Sequence, residues 1–306
     1  MSRHDVLAVI GGSGLYEIDG LAEVQEVHVE TPFGRPSDAI VRGRLGRTTM
    51  LFLPRHGRGH GIAPHEINFR ANVWALKKLG ATHLVSVSAV GSMKETIAPG
   101  DFVIVDQFID LTKRRPSTFF EDGLVAHVGL ADPVCRHLAA ALASAAEQTG
   151  GAGGRPTRVH RGGTYVCIEG PQFSTRAESE LYRVWGVSVI GMTAMPEARL
   201  AREAELPYAL LALATDYDCW HDAAGAVSAD AIVAVMKQNV AAARAIVGEV
   251  AGALPDPSNS IATGALAGAL MTDPHVASTR ATTRLPWILD KYMSPPPGTD
   301  KERQSP

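Results

Sequence analysis

Two aspartates two positions apart, Asp216 and Asp218, are the first candidates for chemistry in this sequence. They follow the apolar run from Tyr208 to Ala214, which is too short for a long helix and is typical of a buried strand. Ligands of open α/β sheets bind beyond the carboxyl ends of the strands, and residues two apart on an extended backbone project to the same side. Two carboxylates this close repel each other, so one of them can retain a proton and act as a general acid. Because aspartate also favours caps and turns, a structural capping or turn pair is the alternative interpretation.

A glycine-rich turn follows the first apolar run, from Val6 to Ile10. Its sequence is Gly11-Gly12-Ser13-Gly14-Leu15. A strand that runs into such a turn exposes backbone N–H groups and a small hydroxyl, which together favour an anion site. The spacing fits neither a dinucleotide fingerprint, nor a Walker loop, nor a nucleophile elbow. A plain structural turn therefore stays open as the alternative.

A second glycine-rich stretch, from Leu53 to His60, places Arg55 and His56 directly after another predicted strand. The spacing of His56 and His60 would suit a metal ion only on a helix, and the flanking glycines disfavour a helix there. A phosphate is the better match, because a guanidinium group can bind an oxyanion through two parallel hydrogen bonds.

The chemistry-bearing residues recur at the ends of predicted strands, and this recurrence favours a functional site over a turn pair. The residues in question are Ser13, Ser88, Thr193 and Asp216. Helices are predicted over 66–79, 133–148, 177–185, 196–204 and 228–253, and further strands over 83–89, 102–110 and 187–190. This alternation, without a linker between two cores, predicts one α/β domain. After Pro255 the pattern weakens to a short helical segment, 255–294, expected to pack on the domain, and 295–306 is expected to be a disordered tail.

The composition limits the classes of partner. With 306 residues, 45% hydrophobic, 20% charged and a net charge of −3, the chain is an ordinary globular sequence with no electrostatic reason to bind nucleic acid or an acidic membrane. The three cysteines lie far apart, which suits a reducing compartment and argues against a zinc ribbon. No apolar run reaches the roughly 20 residues of a membrane span, and no signal peptide is evident at the start. A cytoplasmic location is expected.

Eight stretches, in order, resemble the trimeric purine nucleoside phosphorylase family, and most closely its methylthioadenosine phosphorylase branch. They are GGSGL, PRHGRGH, PHEINFRAN, SVSAVGSM, PGDFVIVDQFID, EGPQFSTRAES, GMTAMPEA and ATDYDCW. The resemblance implies a mixed central sheet flanked by helices over residues 1–254 and a homotrimer. It also implies phosphorolysis of S-methyl-5'-thioadenosine to adenine and 5-methylthioribose 1-phosphate. Inorganic phosphate would be a co-substrate, and no metal or organic cofactor would be needed.

Carried over position by position, the resemblance also assigns roles. The phosphate site would comprise Ser13, Arg55, His56, Ser88, Ala89 (through its backbone) and Thr193; the family often has threonine at the two serine positions. Met192 would lie against the ribose and Phe173 would stack on the purine, while Asp216 and Asp218 would address the purine N7 and the exocyclic amine. Ser174 and Asp216 stand where the 6-oxopurine branch typically has Glu and Asn, which favours 6-aminopurines. His127 matches a position that the family lends to the neighbouring subunit's pocket.

Three other functions stay open at this point. A serine hydrolase could use Ser13 or Ser88 with a histidine, but neither serine lies in G-x-S-x-G and the aspartate pair would be unexplained. A non-catalytic nucleotide-binding module is the second possibility. Within the family, a phosphorylase of 6-oxopurine nucleosides, such as inosine or methylthioinosine, is the third.

Overall fold

The structure is a computed structural model that describes residues 5–12, 14–149, 157–221, 229–273 and 277–293. Eleven strands of these residues form one mixed sheet. They are β1 (Val6–Gly11), β2 (Ala22–Val27), β3 (Ile40–Leu45), β4 (Thr48–Pro54), β5 (His83–Ser92), β6 (Phe102–Val105), β7 (Gln107–Asp110), β8 (Val159–Arg161), β9 (Thr164–Cys167), β10 (Val189–Gly191) and β11 (Tyr208–Tyr217). The order is β2-β3-β4-β1-β5-β10-β9-β7, with β11 joining β5 to β6, and β6 pairing with β8.

Helices cover both faces of this sheet. They are α1 (Phe69–Lys78), α2 (Arg136–Thr149), α3 (Arg176–Val184), α4 (Glu197–Glu203), α5 (Ala229–Gly252), α6 (Thr279–Thr283) and α7 (Pro286–Met293), with short 3-10 turns at Pro64–Glu66 and Pro257–Asn259. One apolar cluster packs α1, α4 and α7 on the sheet, and a second packs α2 and α5 on it. The predicted single α/β domain with a mixed sheet between helices is confirmed. None of the described helices combines the length and apolar character needed to cross a bilayer.

The centre of the sheet is β5, which is parallel to β1 and β11 and antiparallel to β10. The carboxyl ends of β1, β5 and β11 therefore meet at one edge. Backbone pairing brings the segment after β1 to the segment after β4, because Arg55 N donates to Gly11 O at 2.8 Å. This edge is where the sequence predicts the site.

Two predicted strand boundaries are wrong. The strand predicted over 102–110 is divided into β6 and β7, because β6 pairs with β11 and β8 while β7 pairs with β9. The strand predicted to stop at Ala214 continues to Tyr217, with a bulge between Ala214 and Asp216. A bulge leaves one residue unpaired while the ladder continues, so turn-favouring side chains at this point do not end the strand.

The segment after Pro255 packs on the domain around one buried carboxylate, that of Glu205. Glu205 Oε1 accepts from the backbone N–H of Leu266 at 3.0 Å and from the Tyr292 hydroxyl at 2.5 Å. Its other oxygen pairs with Lys291. The predicted tail at 295–306, and Ser228, which the prediction places at the start of the last long helix, lie outside the described residues.

Candidate active site

The aspartate pair lies beside Gly91 of β5. The bulge at Thr215 sets the register, so that Asp216 and not Thr215 stands opposite Gly91. A Cβ atom placed on Gly91 would lie 3.6 Å from Asp216 Oδ2 and 3.5 Å from Asp218 Cβ. Both aspartates therefore approach the same backbone position from one side, as their spacing predicts.

Asp216 is a carboxyl group that keeps its proton to a higher pH than an ordinary aspartate. Burial raises its pKa to about 6; a hydrogen bond from Thr215 Oγ1 to Asp216 Oδ1, at 2.6 Å, opposes this shift, and the charge of Asp218 adds to it. The direction is the one predicted from the sequence, but burial contributes more than repulsion between the two carboxylates. A pKa in this range is close enough to neutrality for a general acid.

Asp218 has a different environment, because it accepts a hydrogen bond from a side chain of the neighbouring helix α3. It is 7% exposed, and the Ser179 hydroxyl of α3 donates to its Oδ2 at 2.5 Å. Sequence reasoning missed Ser179. Ser179 and Tyr182 are three positions apart on one helical face and are the two buried residues of α3, which only the structure shows. A serine on a buried face needs a hydrogen-bond partner, and Asp218 is that partner.

The start of α3 is fixed immediately after Phe173 and Ser174. Thr175 Oγ1 accepts from Glu178 N at 3.3 Å, and Glu178 Oε2 accepts from Thr175 N at 2.7 Å, which forms a capping box. The Phe173 side chain is 74% exposed, so its ring has a free face. The Ser174 hydroxyl is buried and has no hydrogen-bond partner among the described residues. Purine stacking on Phe173 and contact of Ser174 with the base both stay predictions.

At the other end of the site, two predicted phosphate residues meet. Ser88 Oγ and Thr193 Oγ1 lie 3.2 Å apart although they are 105 residues apart in sequence. Thr193 N donates to the Tyr165 hydroxyl at 3.3 Å. A Cβ atom on Gly191 would lie 2.0 Å from that hydroxyl, so glycine is required there. Tyr165 was not predicted from the sequence. Its hydroxyl accepts the hydrogen bond that holds the backbone of Thr193 in position. Ala89, the next residue on β5, is exposed.

Met192 lies on the segment between the aspartate pair and the Ser88–Thr193 hydroxyl pair. Ile190 pairs with Gly91 of β5, and Thr193 lies next to Ser88, so Met192 falls between the aspartates and the hydroxyl pair. Gly91 lies three positions after Ser88 on β5, roughly 10 Å along the strand. This is the position at which a ribose was predicted.

A third residue that was not predicted from the sequence, Arg115, holds this segment in place. Its Nη1 donates to the carbonyls of Met192 and Met195, each at 2.7 Å. Its Nε pairs with Glu169 Oε1 at 3.0 Å. The carbonyl contacts leave no spacing pattern in the sequence, because any residue supplies a carbonyl group.

Arg55 does not have the geometry predicted for it. Its guanidinium donates to Glu197 Oε2 (3.2 Å), the carbonyls of Val87 (3.1 Å) and Ile10 (3.2 Å), and the Ser86 hydroxyl (2.7 Å). These contacts use four of its five N–H groups, which leaves one on Nη1. A bidentate grip on phosphate is therefore incompatible with this arrangement. Contact through the remaining N–H stays a prediction.

His56 is fixed by one carbonyl. Its Nδ1 lies 2.8 Å from the carbonyl oxygen of Ile62, which assigns the proton of the neutral ring to Nδ1 and leaves Nε2 as an acceptor. Burial lowers the pKa of His56 to about 4. The ring stacks on that of His60 with centroids 4.2 Å apart, so the two imidazoles do not converge on a shared metal position.

Two predicted site residues remain, His127 and Ser13. His127 is exposed, and its backbone N donates to Ala269 O at 2.8 Å, which ties it to the C-terminal segment. Ser13 lies outside the described residues. Their predicted contacts with phosphate and with a neighbouring subunit stay predictions.

Comparison with known proteins identifies the family. The profile of the phosphorylase superfamily matches residues 6–251. The chain belongs to this superfamily. The match begins at β1 and ends within α5, so it includes every strand and all the described site residues.

Relatives of this phosphorylase superfamily member cover nearly its whole length. S-methyl-5'-thioadenosine phosphorylase of Geobacter sulfurreducens is 54% identical over 94% of this chain and 99% of its own. A methylthioadenosine phosphorylase from an Antarctic soil metagenomic library superposes with a TM-score of 0.88 at 49% identity, covering 94% of this chain and 99% of its own. The Schistosoma mansoni methylthioadenosine phosphorylase in complex with adenine superposes with a TM-score of 0.79 at 36% identity, covering 88% and 99%.

Proposed function

We propose that this protein catalyses the phosphorolysis of S-methyl-5'-thioadenosine to adenine and 5-methylthioribose 1-phosphate. The observation that carries the proposal is the placement of Asp216, an acid with a pKa of about 6, beside Asp218 and three strand residues from the Ser88–Thr193 hydroxyl pair. The names of the relatives support the same substrate. The products would enter purine and methionine salvage.

In the proposed reaction, a phosphate oxygen forms a bond to the anomeric carbon as the bond from that carbon to the purine nitrogen breaks. The departing purine gains electrons, and Asp216 donates its proton to N7. Ser88 and Thr193 hold the phosphate, and His56 Nε2 accepts a hydrogen bond from its remaining P–OH. Holding both reactants together can lower the barrier by about 7–11 kcal/mol. Phosphate is the co-substrate, and the proposal requires no metal or organic cofactor.

The base preference follows from the acceptors at the aspartate end. A carboxylate accepts from the exocyclic amine of a 6-aminopurine, whereas a 6-oxo group would face it acceptor to acceptor. A buried mismatch of this kind costs about 1–3 kcal/mol. Ser174, whose buried hydroxyl has no partner among the described residues, is a further contact available to the base.

The decisive experiment compares methylthioadenosine, adenosine, inosine and methylthioinosine at equal concentration, with and without phosphate. The proposal expects phosphate-dependent release of adenine, with methylthioadenosine ahead of inosine. Faster cleavage of the 6-oxopurines would reassign the enzyme to that branch. Release without phosphate, or labelling of Ser88 by a fluorophosphonate, would support a hydrolase instead.

We further propose that the protein is a cytoplasmic homotrimer in which His127 reaches a neighbour's nucleoside pocket. The exposure of His127 and its place in the family motif support this. Light scattering would measure the assembly, and full activity in a verified monomer would contradict it.

A further inference from the structure

The environment of Asp218 differs from that of Asp216 in the kind of hydrogen bonds it offers. Among the described residues, no Lys or Arg forms a salt bridge with Asp218, although its side chain is almost fully buried. The polar neighbours of its Oδ2 are both donors: the Ser179 hydroxyl at 2.5 Å and, more weakly, the Cys219 thiol at 3.9 Å. Donors to a carboxylate favour its ionised form. Ser179 is 0% exposed, so water does not compete for this contact.

Asp216 lies next to a hydroxyl group that can form a hydrogen bond with either its ionised or its protonated carboxyl. Thr215 Oγ1 is 2.6 Å from Asp216 Oδ1 and 3.2 Å from the carbonyl oxygen of Val90. A hydroxyl has one proton, so it cannot donate fully to both. When Asp216 is protonated it can donate to Thr215 Oγ1, and Thr215 can then donate to Val90, which satisfies all three groups. The surroundings of Asp216 therefore accommodate the neutral acid.

We propose that Ser179 is a positioning residue, which holds Asp218 as the carboxylate and thereby assigns the proton of the pair to Asp216. The proposal rests on the proposed function in taking Asp216 as the acid of the reaction. Ser179 belongs to the helix that begins directly after Phe173 and Ser174, so the same helix sets the base-binding loop and the charge state of Asp218.

Few other titratable groups face the pair. Cys219 lies next to Asp218, and burial, followed by the charge of Asp218, raises the pKa of its thiol. Tyr182 faces Asp218 from α3, and burial raises the pKa of its hydroxyl. Arg176, at the start of α3, acts on Cys219, and β5 contributes Gly91 there. His221 stacks on Tyr217 one turn further along the chain. Of the described side chains, Ser179 and the more distant Cys219 thiol are the hydrogen-bond donors to Asp218 Oδ2.

A double-mutant cycle tests the proposal on turnover. Ser179→Ala should lower kcat for methylthioadenosine about tenfold, the equivalent of one pKa unit of proton redistribution, and leave KM for phosphate unchanged. In an Asp218→Asn background, where position 218 carries no charge, the same change should alter kcat less than about twofold. Ser188→Ala is the matched control, because it also removes a buried hydroxyl, one that accepts from Lys94. Equal losses in both backgrounds would overturn the proposal.

The pH profile separates charge assignment from simple loss of structure. In Ser179→Ala, the carboxylate of Asp218 has lost its hydrogen-bond donor, so Asp218 competes with Asp216 for the proton of the pair. The plateau of kcat should therefore fall, and the alkaline limb of the pH profile should move to higher pH because the pair holds its last proton more tightly. A merely structural role would lower the plateau without moving the limb, which would refute the proposal. If the alanine variant does not fold, Ser179→Cys retains a weak donor and should give a smaller shift in the same direction; no shift in that variant would count against the proposal.

An infrared titration of the ligand-free protein keeps the proposal separate from the proposed function. Glu203, whose pKa burial raises to about 7, also contributes to the protonated-carboxyl band near pH 5, so the variants are compared by difference. One component of the band should vanish in Asp216→Asn and persist in Asp218→Asn. In Ser179→Ala, part of its intensity should move to a band that Asp218→Asn removes. An unchanged band in Ser179→Ala would overturn the role of Ser179 even in an active enzyme. Absence of turnover in the wild type would instead refute the proposed reaction, with the infrared result still deciding where the proton lies.

Discussion

The site has a phosphate end, around Arg55, Ser88 and Thr193, and a base end, around Asp216 and Asp218. The two ends differ in whether a buried charged group has an oppositely charged partner. At the phosphate end, the buried guanidinium of Arg55 is paired with the equally buried carboxylate of Glu197, whose Oε1 also accepts from the Tyr208 hydroxyl at 3.1 Å. At the base end, Asp216 is half-buried and forms no ion pair with a cation among the described residues, and burial raises its pKa. A buried charge with a partner stays charged and holds structure, whereas a buried acid without one keeps a proton that it can give away. Removing one partner of the Arg55–Glu197 pair should therefore affect stability, and removing the Asp216 acid should affect turnover.

The largest effect is expected for Glu197→Gln, which leaves the Arg55 cation buried and unpaired. Removing one partner of a buried pair costs about 3–5 kcal/mol of unfolding free energy. Chemical denaturation measures this directly. The matched control is Glu147→Gln, which breaks a solvent-exposed pair with Arg161 and should leave the unfolding free energy almost unchanged. Equal losses of unfolding free energy in the two variants would show that the buried Arg55–Glu197 pair contributes no more to stability than an exposed pair.

At the base end, Asp216→Asn keeps the shape and removes the acid. Turnover of methylthioadenosine should fall about 100-fold or more if general acid catalysis is its role, while KM for phosphate changes little. Asp218→Asn should cost less, because it loosens the amine contact without removing the acid. A destabilised but fully active Asp216→Asn enzyme would restore the interpretation of Asp216 as a structural turn residue.

The same variant should be more stable than the wild type at alkaline pH. The pKa of Asp216 in the folded protein, about 6, lies above its ordinary value of 3.8, so the folded state binds the proton more tightly. Its stabilising contribution is fully present below about pH 4 and is lost as the pH rises through 6. Asp216→Asn has no such loss, and its relative unfolding free energy should rise between pH 4 and 8 by on the order of 2 kcal/mol. A constant difference across this range would show that the acid is not held by burial.

A smaller effect is expected at the hydroxyl pair. Ser88→Ala removes one donor to phosphate and should raise KM for phosphate about tenfold, in line with a hydrogen bond to a charged group of about 1.5 kcal/mol. Turnover at saturating phosphate should be nearly unchanged. Thr193→Ser, which keeps its hydroxyl, is the control, and an equal rise in that variant would assign the effect to packing.

The smallest effect is expected for His127→Ala. Because the histidine is proposed to contact the 5'-substituent from a neighbouring subunit, KM for methylthioadenosine should rise several-fold and KM for phosphate should not change. A rise for both substrates would place His127 in the assembly itself and not in the pocket.

The parts of this site that could be predicted from sequence are those set by local spacing. The side-by-side aspartates follow from the alternation of a strand, and the meeting of Ser88 and Thr193 follows from their places at strand ends. The partners of Arg55 and Asp218 could not be predicted, because Glu197 is 142 residues from Arg55 and Ser179 is 39 from Asp218. Such pairs depend on how helices dock on the sheet, and a lone buried serine or glutamate has no periodic signature.

The bulge at Thr215 determines to which face of the sheet the Asp216 side chain points. Ala212 and Ala214 point into the apolar core, and in an uninterrupted strand Asp216, two positions on, would point there as well. The single extra residue reverses the alternation and turns the carboxyl out of that layer to Gly91. The apolar run of β11 can therefore exchange one aliphatic residue for another, but it cannot change in length by one. A one-residue insertion or deletion within β11 would therefore turn Asp216 back toward the apolar layer.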